Sequence, residues 1–284
     1  MDISFLALIV LWGAFAGIVF SSIGAAGGII ASFGLISIVG VADPNSVKPM
    51  TQIIVLATAL VFVPGYFRRS YLVWPLGLLL AVGGLMGAWA GSSLSSAYLS
   101  DMTTFRPLFG VLTLVIAAQI AWKLYRSRSG HKTASPSEER ADVQGVHDLS
   151  ISLMTLSFSY GSKDYSVRLW SPFLAGFLIA TIAAIFGVGG GFLLVPYMSS
   201  LLRMPMHIIP ATSGIAIIIS LLVSIGNYLA LGSQLETESL VPMLGGAILG
   251  AVIGPFINRW MKNSGLQMIL SLIIVVIGVR YVVA

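Results

Sequence analysis

The chain has 284 residues, 57% of them hydrophobic and 9% charged, and a mean hydropathy of +0.97. Apolar runs of about 20 residues recur along it, which excludes a soluble enzyme or a nucleic-acid-binding domain and predicts an all-α polytopic membrane protein. The absence of Cys removes disulfides and thiolate chemistry, and the net charge of +5 lies mainly in short loops and a central insert, where it reports orientation in the bilayer.

The predicted segments run Ile3 to Ser22, Ile29 to Val41, Met50 to Phe67, Leu72 to Leu94 and Pro107 to Tyr125. A second set runs Leu169 to Phe186, Phe192 to Leu202, Ile208 to Leu231, Leu240 to Trp260 and Leu266 to Val283. The N-terminus has no basic run and no small-residue cleavage site before Ile3, so it reads as a first membrane segment. Between the two sets lies Arg126 to Arg168, which holds half of the ten acidic residues and cannot sit in lipid. Three units follow: a first membrane repeat over 1–125, a cytoplasmic insert over 126–168 and a second membrane repeat over 169–284. Ser127 to Gly145 reads as a flexible linker. From Asp148 the near-alternating run to Tyr160, the turn signal Gly161-Ser162-Lys163-Asp164 and a second run to Trp170 predict a small β-hairpin.

Both halves interrupt an apolar run with glycine: Gly24-Ala25-Ala26-Gly27-Gly28 in the first, Gly187-Val188-Gly189-Gly190-Gly191 in the second. With one two-residue gap before Pro44, Gly24, Gly27 and Gly28 fall on Gly187, Gly190 and Gly191. Pro44, Pro49, Thr51 and Gly65 then fall on Pro205, Pro210, Thr212 and Gly226, and, further on, where the register returns by two residues, Gly83, Gly87 and Gly91 fall on Gly246, Gly250 and Gly254. Coincidence of Pro and Gly at so many places marks an internal repeat, and the last set forms a small-xxx-small ladder that lets helices approach closely.

Loop charges choose its topology. If each glycine break turns the chain back, Arg68, Arg69, Lys123, Arg126, Arg128, Arg203, Arg259 and Lys262 share one face. Asp2, Asp43, Asp101, Glu236 and Glu238 share the other, with Arg106 and Lys48 as exceptions. The second half is then inverted relative to the first, each half being a re-entrant helical hairpin plus three spanning helices. Ile29 to Val41 and Phe192 to Leu202 span only about 16 to 20 Å as helices, short of the roughly 30 Å hydrocarbon core.

Non-helical backbone at membrane depth is tolerated only inside protein or beside a cavity. Half-helix N-termini, with free N–H groups and about half a positive charge, favour an anion there. Substrate-binding candidates are therefore Gly24, Gly27, Gly28, Gly189, Gly190 and Gly191, with Thr51, Gln52, Thr212 and Ser213 at the start of the third segment of each half. Asn227, costly in lipid, is a further candidate. The pattern in the second cluster lacks the β-strand and the acidic residue of a dinucleotide fingerprint. Three histidines without Cys or clustered carboxylates offer no metal site and no cofactor is implied. No charged residue occupies the middle third of any segment, so no coupling carboxylate is visible.

The run Gly187 to Pro196, followed by Met204-Pro205 and Pro210-Ala211-Thr212-Ser213, resembles the TauE/SafE sulfite exporter family over almost the whole chain apart from the insert. The resemblance implies export of sulfite, sulfonates or related organosulfur anions across a bacterial cytoplasmic (inner) membrane. The first half departs from it, with Ala26 in place of the middle glycine and Phe33 at the position of Pro196. An uptake permease or channel for the same anions shares these features, and a membrane sensor acting through the insert is the reading from another class. The partners expected are the bilayer and a small anion, no nucleic acid, and a homo-oligomer is compatible with the sequence.

Overall fold

The computed structural model describes residues 2–23, 26–64, 72–128, 147–152, 154–160, 163–204, 208–260 and 263–283. Gly24, Gly65, Arg68, Arg69, His131, Gly161, Ser162, Pro205, His207, Lys262 and the expected linker beyond Arg128 lie outside the described residues.

The first half contains α1 (Ile3–Ile23), α2 (Gly27–Phe33), α3 (Pro44–Phe62), α4 (Trp74–Tyr98) and α5 (Met102–Arg128). The second contains α6 (Trp170–Phe186), α7 (Gly191–Pro196), α8 (Ile209–Ala230), α9 (Thr237–Trp260) and α10 (Asn263–Val283). Both short helices continue as wider π-helical turns, α2 over Gly34–Val39 and α7 over Tyr197–Leu201. Six of the described helices (α1, α3, α4, α5, α8 and α9) are long and apolar enough to cross a membrane. Large apolar side chains such as Leu78, Val82, Met86 and Trp89 on α4, and Leu249, Val252 and Ile253 on α9, stand exposed on the outside of the bundle. That is the surface lipid requires, and the chain is a multi-pass membrane protein.

One boundary moves in a way that affects the site. The third segment begins at Pro44, not Met50, because the Asp43 carboxylate accepts from the Asn45 N–H at 2.9 Å and Pro44 takes the first helical turn. Thr51 and Gln52 are thus two turns inside a helix and not at its start.

The insert also differs from expectation. It is a three-stranded antiparallel sheet, β1 (His147–Ile151), β2 (Thr155–Tyr160) and β3 (Lys163–Arg168), not a hairpin. The alternating run breaks where the Ser152 N–H donates to the Thr155 carbonyl at 2.8 Å, so its first part folds back on its second. Leu156, Phe158 and Tyr160 on one face of β2 are buried in a cluster that includes Tyr197, Met198, Met204 and Ile208. The sheet therefore lies against the far end of α7, and an outside surface supplies the stability that two or three short strands lack.

The long helices pair across the halves: α1 lies along α9, α4 along α6 and α8, and α5 along α10. Glycine makes the close approaches. Gly246 and Gly250 of α9 sit on the backbone of Val10 and Ala14 in α1, while Gly83 and Gly87 of α4 sit on Phe173 and Phe177 in α6. In return Gly13 of α1 meets the backbone of Met243, and Gly176 of α6 that of Leu80. These are the same places in the two halves, so each first helix docks on the fourth helix of the other half.

Candidate functional site

The two glycine segments meet. Ala26 (φ 68°) caps α2, Gly187 (φ 73°) ends α6, and Gly189 (φ 77°) precedes α7, all in the left-handed region. Gly28 rests on the Val188 carbonyl, so one break touches the other, and Gly187 lies on the backbone of Lys48 in α3. Gly27 packs on Phe20 and Gly189 on Val55, while Gly191 is buried at the start of α7. Ala26 and Gly189 occupy the same place in the repeat, which explains the strained alanine. A left-handed non-glycine residue costs about 1–2 kcal/mol, partly offset by the extra unfolded-state entropy of glycine. Ala26→Gly should therefore raise the thermal unfolding midpoint by up to a few degrees, and an unchanged or lower midpoint would contradict the strain.

Beside this junction is a narrow cavity of about 20 Å³, lined by Gln52, Gly190, Ser220 and Ser224 with apolar side chains of α4, α6 and α8. It has room for one or two waters. The Gln52 amide oxygen and the Ser224 hydroxyl are buried with no hydrogen-bond partner among the described residues. Buried polar atoms are ordinarily paired, which makes this pair the chemically open part of the junction.

Of the expected residues, Gln52 and Gly190 line this cavity together. The Thr51 hydroxyl is 3.0 Å from that of Ser32 and ties α3 to α2. The Thr212 hydroxyl accepts from the Val73 N–H at 3.2 Å, and Ser213 donates to the Ile209 carbonyl at 2.7 Å. The Asn227 amide donates to Ser92 at 2.8 Å and Ser93 at 2.9 Å on α4, away from the cavity lining. Sequence reasoning passed over Ser220 and Ser224, although Ala216, Ser220 and Ser224 recur at helical spacing as a stripe of small residues.

It also treated Lys48 as a stray loop charge. Lys48 is fully buried, donating to the Leu99 carbonyl at 2.7 Å, the Asn45 amide oxygen at 3.1 Å and the Ser95 carbonyl at 3.4 Å. Its ammonium lies 5.1 Å from the Phe105 ring centre and 5.9 Å from that of Tyr228, whose hydroxyl donates to the Ala184 carbonyl at 2.8 Å.

The sequence pattern described as sulfite exporter TauE/SafE matches residues 9–281, both halves and the insert. The chain belongs to the TauE/SafE family. Among similar proteins, a probable membrane transporter protein of Bacillus subtilis, YunE, is 27% identical over 98% of this chain and 97% of its own length. A probable membrane transporter protein of Xylella fastidiosa (strain 9a5c) is 26% identical over 68% of this chain and 62% of its own length. No solved structure matches. The TauE/SafE chain is thus grouped with membrane transporters.

Proposed function

We propose that the protein is an inverted-repeat secondary transporter that exports a small sulfur-containing anion, sulfite or a sulfonate, across the bacterial cytoplasmic membrane. The observation that carries this reading is the cavity at the junction of the two breaks, where Gly190, Gln52, Ser220 and Ser224 present polar groups among apolar walls. Its lining contains no carboxylate, so no full negative charge there opposes an anion.

Two contacts support the turned-back course of the half-helices. Ser171, at the start of α6, is hydrogen-bonded to Tyr197 near the end of α7 at 2.9 Å, and the sheet that precedes α6 shares its apolar cluster with Met204 and Ile208 beyond α7. The chain therefore enters and leaves near one level. In the first half, Phe5 and Val39 line one cleft, and the Trp12 indole donates to the Ile30 carbonyl at 2.8 Å. The exchanged docking of first and fourth helices supports an inverted repeat, in which one half moves against the other to alternate access. A cavity this narrow admits an anion only when the halves part. Expelling a monoanion from a cell with a negative interior is favoured by about 2.3 kcal/mol per 100 mV, so export needs no second ion.

The test is flux of labelled sulfite and of taurine-type sulfonates in proteoliposomes, with Gly190→Leu beside the parent. A leucine side chain at the cavity wall should lower flux more than 10-fold. Equal flux in both proteins would remove the site assignment, and no flux of either anion in the parent would remove the function.

A further inference from the structure

We propose that Lys48 is the cationic side chain of the anion pathway, held one helical turn from the cavity on the side of the α4–α5 connection. This rests on the transporter reading above and adds to it a residue that binds substrate by charge. Three observations converge on Lys48.

The first is position. Lys48 and Gln52 are four residues apart on α3 and share one face, about 6 Å along the axis. Gly187, which lies on the Lys48 backbone, is three residues from Gly190 at the cavity wall. Ala184, which also lines the cavity, accepts the hydroxyl of the Tyr228 ring that faces the ammonium.

The second is the set of hydrogen-bond partners. An ammonium has three N–H donors, and the three oxygens that receive them belong to Leu99, Asn45 and Ser95, all uncharged. Asp43, the acidic residue that caps α3, is exposed and accepts from the Asn45 N–H and the Ser46 hydroxyl. The hydrogen bonds hold the cation in place without a carboxylate among them, Asp43 acting on it only through space, and a buried charge favours an opposite charge strongly.

The third is asymmetry. In the repeat alignment the residue of the second half that corresponds to Lys48 is Ile209, buried and apolar. Of these two equivalent positions, the one in the first half alone carries a cation. An anion in the cavity is drawn toward the α4–α5 end, and the oxygens of Leu99, Asn45 and Ser95 release the ammonium to the anion as it passes. A neutral solute of the same size gains nothing from this arrangement.

The experiment measures binding of sulfite and of methanesulfonate to the purified full-length protein by thermal-shift titration, for the parent, Lys48→Met, Lys48→Arg and Asn45→Asp. Asn45→Asp is nearly isosteric and sets a carboxylate against the ammonium, cancelling its field with the side chain still in place. Lys48→Met and Asn45→Asp should each weaken both anions about 10- to 100-fold, the scale of one unit charge a helical turn away at an effective dielectric constant of about 20. Lys48→Arg should stay within about threefold of the parent. Saturable binding in the parent with unchanged affinity in Lys48→Met and Asn45→Asp overturns the role of Lys48 and leaves the transporter reading standing, even if those variants are less stable. Absence of saturable binding of either anion in the parent overturns both.

Discussion

Gly28→Ala is expected to abolish recovery of folded protein, while Gly190→Ala, in the equivalent glycine cluster of the other half, should be recovered at parental levels. A methyl group at Gly28 would overlap the Val188 carbonyl, a backbone atom that no rotamer change can move. The two breaks would have to separate, at a cost of roughly 3 kcal/mol or more, a large share of the stability of a typical domain. A methyl group at Gly190, whose φ is −75°, would meet Ile179 at 3.5 Å, Leu194 at 3.6 Å and Ala183 at 4.0 Å, all ordinary contacts. Size-exclusion profiles in detergent separate the outcomes, and a monodisperse Gly28→Ala protein with parental melting would show that the breaks do not touch.

Gly250→Leu should disrupt the protein as severely, although it lies far along the chain from either break. A Cβ there falls on the Ala14 carbonyl, and at Gly246 on that of Val10, so α1 and α9 touch backbone to backbone. Without water to drive association, such packing supplies much of the helix–helix attraction in a bilayer. Gly87→Leu should be equally damaging through Phe177. The neighbouring Gly245 is exposed and its Cβ would meet nothing within 4 Å, so Gly245→Leu should leave expression and melting unchanged. Similar melting for Gly250→Leu and Gly245→Leu would refute the close approach.

Much of this architecture can be read from composition and from the placement of glycine. Ten apolar segments were expected, and ten helices among the described residues lie on them, because about 20 apolar residues in a row leave lipid few alternatives. The short second and seventh helices were expected as well, from glycine breaks and length. Side-chain partners were not legible. Thr51 and Thr212 looked free to meet a ligand, but Ser32 and the Val73 N–H reach them from segments whose neighbours no local pattern specifies. Lys48 looked like a loop residue until Asp43 and Pro44 moved the helix start ahead of it. The third strand was hidden because one near-alternating run gives no sign of where it doubles back.

The exchanged docking of helices also bears on how the chain is made. The glycine faces of α9 that receive α1 are synthesised more than 200 residues after α1 itself, and α4 waits about 70 residues for α6. Until then the early helices have lipid where they will later have backbone. A nascent first half is therefore an open assembly intermediate with two unfilled grooves, and completion of the molecule depends on the late arrival of α9 in the bilayer.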